Sequence, residues 1–167
     1  MNDKNKISYF LLLCVFSVAF SSCLKSGLDD LPAFDEAQIA NVFVEYRYKN
    51  PNDKWIDSSA IIEYLNLEVS KQIVLSEASN ADLDSVIVTV RVPDASGTFT
   101  EEERQKVKLT NIVVYMNIST AATIKPLGDS PELGTLGDFS SPRKYRITAA
   151  DGVTCRDWVV AIKPLVY

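Results

Sequence analysis

Ser85-Val86-Ile87-Val88-Thr89-Val90-Arg91-Val92 alternates without a break. Successive side chains of an extended chain point to opposite sides, so Val86, Val88, Val90 and Val92 share one face and Ser85, Ile87, Thr89 and Arg91 the other. β-Branched residues dominate, as a pleated, half-buried surface favours. Pro93-Asp94-Ala95-Ser96-Gly97 closes the strand, since Pro removes a ladder donor and Asp, Ser and Gly suit turns.

The same period recurs on both sides of this strand. Upstream, Val42, Val44, Tyr46 and Tyr48 form one face, opposite Asn41, Glu45 and Arg47, with Phe43 as the exception. Asn50-Pro51-Asn52-Asp53 then supplies a turn, Ile61, Leu65, Leu67 and Val69 line up with Glu63 interrupting, and Ile73 to Leu75 forms an edge. Downstream, Thr100 and Glu103 have the spacing of a capping box, which predicts a short helical crossover ending near Lys106. Apolar parity then changes, from the odd positions Val107 and Leu109 to the even positions Ile112, Val114, Met116 and Ile118. A bulge at Thr110 and Asn111 would reconcile the two. The tail predicts a hairpin: Tyr145 and Ile147, a turn at Ala150-Asp151-Gly152, and Trp158, Val160 and Ile162 on the returning face, with Trp158 in the core. Many short strands and no long helical period predict an all-β sandwich of two antiparallel sheets over residues 39–167.

The N-terminus has a different character. Lys4 and Lys6 precede an apolar run from Ile7 to Phe20, and Ser21-Ser22 precede Cys23. Basic, apolar and small-residue regions in that order predict a secretory signal over residues 1–22. The apolar run is shorter than the roughly 20 residues a helix needs to span a bilayer. Phe20-Ser21-Ser22-Cys23 resembles the lipobox of bacterial lipoproteins, which implies acylation of Cys23, and two or more chains there would give near-permanent attachment to a membrane. Residues 23–38, with Gly, Pro and acids and no period, are expected to be a lipidated tether. Cys14 would leave with the signal, so Cys155 would be the one unmodified thiol and no internal disulfide could form.

A second resemblance lies in the C-terminal part. Ala122-Thr123-Ile124-Lys125-Pro126, Gly137-Asp138-Phe139-Ser140-Ser141-Pro142, Lys144-Tyr145-Arg146-Ile147-Thr148-Ala149-Ala150-Asp151-Gly152 and Trp158-Val159-Val160 resemble the C-terminal half of Ig-like domains in Bacteroidota cell-envelope lipoproteins. That type also occurs ahead of the putative carbohydrate metabolism domain. The resemblance covers residues 107–163 and implies an Ig-like sandwich at the cell envelope; together with the lipobox it gives the expectation of a lipid-anchored outer-membrane protein on the cell surface or the periplasmic face. It implies no reaction, because these residues are strand, turn and core positions.

Composition narrows the chemistry. The 167-residue chain contains no histidine, which removes Ser-His-Asp and Cys-His catalysis and imidazole metal ligation. One mature thiol besides Cys23 leaves no cysteine-rich zinc site. No phosphate-binding glycine pattern appears, so neither a nucleotide nor any other cofactor is expected. Net charge is −5; without Asp3, Lys4 and Lys6, 15 basic residues face 21 acidic ones, a sign that disfavours nucleic acid. Asp151 and Asp157 could be imagined around calcium, but they lack the dense acidic loop such a site needs, and Asp151-Gly152 is better read as a turn.

Exposed aromatics are the remaining candidates. Trp55 sits in the polar stretch Lys54-Trp55-Ile56-Asp57, Tyr64 lies on the face opposite Leu65, and Tyr115 on the face opposite Val114 and Met116. Sugar rings stack on such faces, although single surface tyrosines are also ordinary. The expectation is a non-catalytic envelope module that binds a glycan or an envelope protein through Trp55, Tyr64 and Tyr115. The alternatives are a structural spacer or protein-interaction subunit and, less favoured, a small hydrolase built on two carboxylates.

Overall fold

The computed structural model describes residues 33–50, 62–76 and 83–167. Cys23, Trp55, the Pro51–Asp53 turn and Ile61 lie outside these residues. The described strands are β1 (Ile39–Lys49), β2 (Ile62–Asn66), β3 (Glu68–Val74), β4 (Asp84–Arg91), β5 (Ile112–Ile118), β6 (Thr123–Leu127), β7 (Leu136–Gly137), β8 (Arg143–Thr148) and β9 (Cys155–Ile162). One short helix, α1 (Glu101–Arg104), lies between β4 and β5. They form a four-stranded sheet ordered β2-β1-β5-β7 and a five-stranded sheet ordered β3-β4-β9-β8-β6, packed as a sandwich.

Alternation places the core as expected. Val86, Val88, Val90 and Val92 are fully buried, and Val42, Val44, Tyr46 and Tyr48 meet them from the other sheet. Removing such side chains from water is the main stabilising term, worth about 1.5–3 kcal/mol each. Trp158 is 1% exposed, and its indole N–H donates to the Ala37 carbonyl at 3.0 Å, so the one polar atom of the largest core residue is satisfied. Tyr145 is also fully buried and its hydroxyl donates to the Pro131 carbonyl at 2.9 Å; burial pushes that phenol up to about 12.

Four expectations are corrected. The sheets are not both antiparallel: β4 pairs β9 in parallel, from Asp84 opposite Trp158 to Val88 opposite Ile162, so the five-stranded sheet is mixed. The two strands are far apart in sequence and no tight turn constrains their direction. There is no bulge at Thr110 and Asn111; Asn111 Oδ1 accepts from the Lys108 N–H at 2.9 Å and a turn resets the parity before β5 starts. The run Leu65, Leu67, Val69 is not one strand. The chain changes sheet at Leu67, whose N–H donates to the Val44 carbonyl at 2.9 Å, so β2 and β3 belong to different layers. Lastly, the compact unit begins at Ala33, so residues 33–38 of the expected tether belong to it: Ala37 is buried and the Phe34 carbonyl accepts from the Asp151 N–H.

The tail hairpin and α1 form as read. β8 and β9 pair antiparallel around residues 149–154, with Gly152 at φ 71°. Asp151 caps this turn by accepting from the N–H groups of Val153 and Thr154 and from the Thr154 hydroxyl. Thr100 caps α1 by accepting from the Glu103 N–H at 3.2 Å. The Glu103 carboxylate accepts from the Tyr46 hydroxyl at 2.9 Å, tying the helix to the four-stranded sheet. Burial and this acidic neighbour raise the Tyr46 phenol far above its ordinary range.

Candidate functional site: the outer face of the four-stranded sheet

The period that buries Val42 and Val44 turns Phe43, Glu45 and Arg47 outward. Strand register then decides their neighbours. Arg47 is opposite Tyr64 on β2, Phe43 is opposite Tyr115 on β5, and Glu45 lies between Asn66 and Val113. Two of the aromatic candidates, Tyr64 and Tyr115, therefore flank β1 on one face.

Arg47 joins them. Its Nε donates to Glu45 Oε1 at 2.6 Å, and one of its terminal nitrogens donates to the Tyr115 hydroxyl. The guanidinium carbon lies 5.2 Å from the centre of the Tyr64 ring, a cation–π arrangement. Tyr115 Oη also lies 3.5 Å from Glu45 Oε1. The hydrogen bond from Arg47 to Glu45, more than the opposing effect of burial, raises the guanidinium above its already high ordinary value. The site thus presents a fixed cation, a carboxylate and a phenol held together beside the ring of Tyr64, which is 63% exposed.

The rim comes from the loop before β7. Gly134, at φ 79°, passes so close to Tyr115 that an added Cβ would lie 3.4 Å from the ring. Its N–H donates to the Val114 carbonyl and its carbonyl lies 3.4 Å from Arg47. Phe43 and Leu136 extend the face with exposed apolar surface, at 46% and 59% exposure. Arg143, itself nearly buried, secures the chain on both sides of β7, donating to the Asp129 carboxylate before it at 2.7 Å and to the Asp138 carbonyl just after it.

Sequence reading placed Glu45 and Arg47 on the outer face without assigning them a role. Their role depends on which strands lie beside β1, and alternation within β1 carries no information on that. Asp151 and Asp157 are not brought together: Asp151 serves its turn, and Asp157 accepts both hydrogen bonds of a bidentate pair with Arg146, at 2.7 and 2.8 Å. Among the described residues no group of three metal-ligating side chains occurs, and no helix is long and apolar enough to cross a membrane.

A family profile described as DUF5018-related matches residues 39–161. The crystal structure of a putative secreted protein from Bacteroides fragilis is 36% identical, with a TM-score of 0.68, and the match covers 81% of this chain and all of that one. A putative glycoside hydrolase from Bacteroides thetaiotaomicron is 18% identical with a TM-score of 0.42, over 83% of this chain and 27% of that one. No curated protein matches the sequence.

Proposed function

The chain belongs to the DUF5018-related family, and from that premise we propose that it is a secreted, lipid-anchored Ig-like module without catalytic activity that binds a glycan on the outer face of its four-stranded sheet. The observation that carries this reading is the Tyr64–Arg47–Tyr115 cluster with Glu45. An exposed ring offers a stacking face for the C–H groups of a sugar, and the adjoining guanidinium, carboxylate and phenol offer donors and acceptors for its hydroxyls. The cluster is already assembled on paired strands, which reduces the ordering cost of binding. Export is supported by the N-terminal signal pattern and by the likeness to a putative secreted protein, and anchoring by the sequence around Cys23.

Affinity electrophoresis of the full chain through gels containing soluble polysaccharides, with a glycan array alongside, tests the binding. Retardation by at least one glycan is expected, and Tyr64→Ala should abolish it while leaving the thermal midpoint nearly unchanged. A chain that no glycan retards, or whose retardation survives both Tyr64→Ala and Arg47→Ala, would rule this reading out. Mass spectrometry of the membrane-derived protein, compared with Cys23→Ser, tests the acyl group.

The exposed apolar surface of Phe43 and Leu136 on the same face favours a second reading, a spacer or assembly subunit contacting another envelope protein there. Cross-linking to an envelope protein without glycan retention would favour it.

A further inference from the structure

Where β2 leaves the four-stranded sheet at Leu67, β1 continues without it. Pairing between the two strands runs from Lys49 opposite Ile62 to Glu45 opposite Asn66 and ends there. In an antiparallel ladder both backbone groups of a residue point to the same neighbour and alternate along the strand. The Val44 carbonyl faces the β2 side, since it accepts from the Leu67 N–H. Val42, two residues earlier, therefore directs its N–H and carbonyl to the same side, beyond the last paired residue of β2. The Ala40 carbonyl faces that side as well, because the Lys71 ammonium reaches it there.

Across this gap stands β3, which among the described residues is an edge strand paired only with β4. The carbonyls of Val88 and Val90 accept bonds from the far side of β4, from Lys163 and Val166. The odd residues of β4 therefore serve β3, and Val69, Lys71 and Ile73 turn their backbone groups away from it, to the open edge. A cavity of about 430 Å³ lies between Val42–Val44 on one side and Leu67, Val69 and Lys71 on the other. Natural proteins rarely leave two strand edges side by side without a charge, bulge or cover. Here the N-terminal part of β1 carries a register shift between Ile39 and Asn41, and Lys71 spans the gap by donating to the Ala40 carbonyl and Asn41 Oδ1.

We infer that this notch is a strand-addition site, in which an extended peptide segment bearing a carboxylate lies along β1 from Ala40 to Val42, in the line that β2 vacates. Its backbone takes up the Val42 N–H and carbonyl and displaces Lys71 from Ala40. Its inward side chains cover Val42 and Val69, and its outward ones pack beside Phe43, so apolar residues suit both faces. Among the described residues Lys71 is the one charged residue lining the cavity, and a carboxylate on the segment receives its ammonium once the Ala40 carbonyl is taken. A segment with lysine instead of glutamate meets like charge. This site lies apart from the Tyr64 ring and does not depend on glycan binding.

The test uses the ¹⁵N-labelled full chain and two blocked peptides of alternating valine and threonine, one carrying a single central glutamate and the other a single central lysine. Amide exchange followed by NMR should show Val42 slowed by the glutamate peptide, with the Lys71 side chain shifted. The lysine peptide should bind about threefold more weakly, as befits one solvent-accessible ion pair. Lys71→Glu should reverse that preference, whereas Tyr64→Ala, which removes the glycan platform, should leave peptide binding unchanged. The inference is overturned if the Val42 amide of the free chain is already as protected as that of Tyr46, which lies within the β1–β2 ladder. Slowed amides elsewhere with Val42 untouched, or a glutamate preference that survives Lys71→Glu, would overturn it equally.

Discussion

Strand β4 carries three alternate valines with no exposed surface, while its neighbour β3 turns Val69, Lys71 and Ile73 to the same side and leaves Ile73 41% exposed. Both strands obey period 2 and share a register. They differ in what lies across from them. β4 sits between β3 and β9 with β1 packed over it, and its inward groups meet Val42, Val44 and Tyr46. β3 is lateral, beside the notch opened where β2 departs. Alternation therefore reports which face a side chain takes, and position within the sheet decides how deeply that face is buried.

The contrast is sharpest at the interior extreme. Trp158→Ala, on β9, removes a fully packed indole and leaves the Ala37 carbonyl without its donor. A loss of about 3–5 kcal/mol is expected, seen as a fall in thermal midpoint on the order of 10–15 °C. A loss below about 1 kcal/mol would mean that the middle of the sheet is no better packed than its edge.

An intermediate effect is expected where the two regions are tied together. Asp84, at the start of β4 and 3% exposed, accepts from the N–H and hydroxyl of Ser76, just past β3, and from Arg156 on β9 at 3.1 Å. Burial by itself would raise this carboxyl, but the Ser76 and Arg156 hydrogen bonds outweigh it and hold it below its ordinary value of 3.8. A depressed folded value means that the contribution to stability is present above the unfolded value and is lost as pH falls through the folded one. Chemical denaturation from pH 7 down to pH 2 should show stability falling from about pH 4, and Asp84→Asn should flatten part of that fall while costing about 1–3 kcal/mol at neutral pH. Asp138, Asp151 and Asp157 are depressed too, each chiefly by a side-chain hydrogen bond, so some slope should remain. An unchanged profile in Asp84→Asn would show that this carboxylate does not link the strands energetically.

The smallest effect belongs to the flank. Ile73→Ala should change stability by no more than about 0.5 kcal/mol, as for a surface residue. A loss approaching that of a core isoleucine, about 2–5 kcal/mol, would show that β3 is covered in solution and would erase the difference between the two strands.

Within the candidate site, Tyr64 and Tyr115 were legible because each stands opposite an apolar neighbour on a strand with clear alternation. Arg47 and Glu45 were legible only as outward residues. That the four side chains meet depends on the pairing of β1 with β2 on one side and β5 on the other, and Tyr64 and Tyr115 lie too far along the chain from Arg47 for local sequence to specify a register. The parallel pairing of β4 with β9 was illegible for the same reason. No turn joins the two strands, so nothing local sets their direction.

Local preference was sufficient for the all-β class, the inward set from Val42 to Tyr48 and from Val86 to Val92, the Thr100 cap and the Asp151-Gly152 hairpin. Each of these is decided by residues within a few positions of one another, through side-chain alternation or a turn hydrogen bond. The mixed sheet, the change of layer at Leu67, the notch at Val42 and the joining of Tyr64 to Tyr115 through Arg47 were decided only in the tertiary structure. They arise from contacts between residues distant in the chain, and a strand's own sequence specifies its two faces but not the strand that comes to lie beside it.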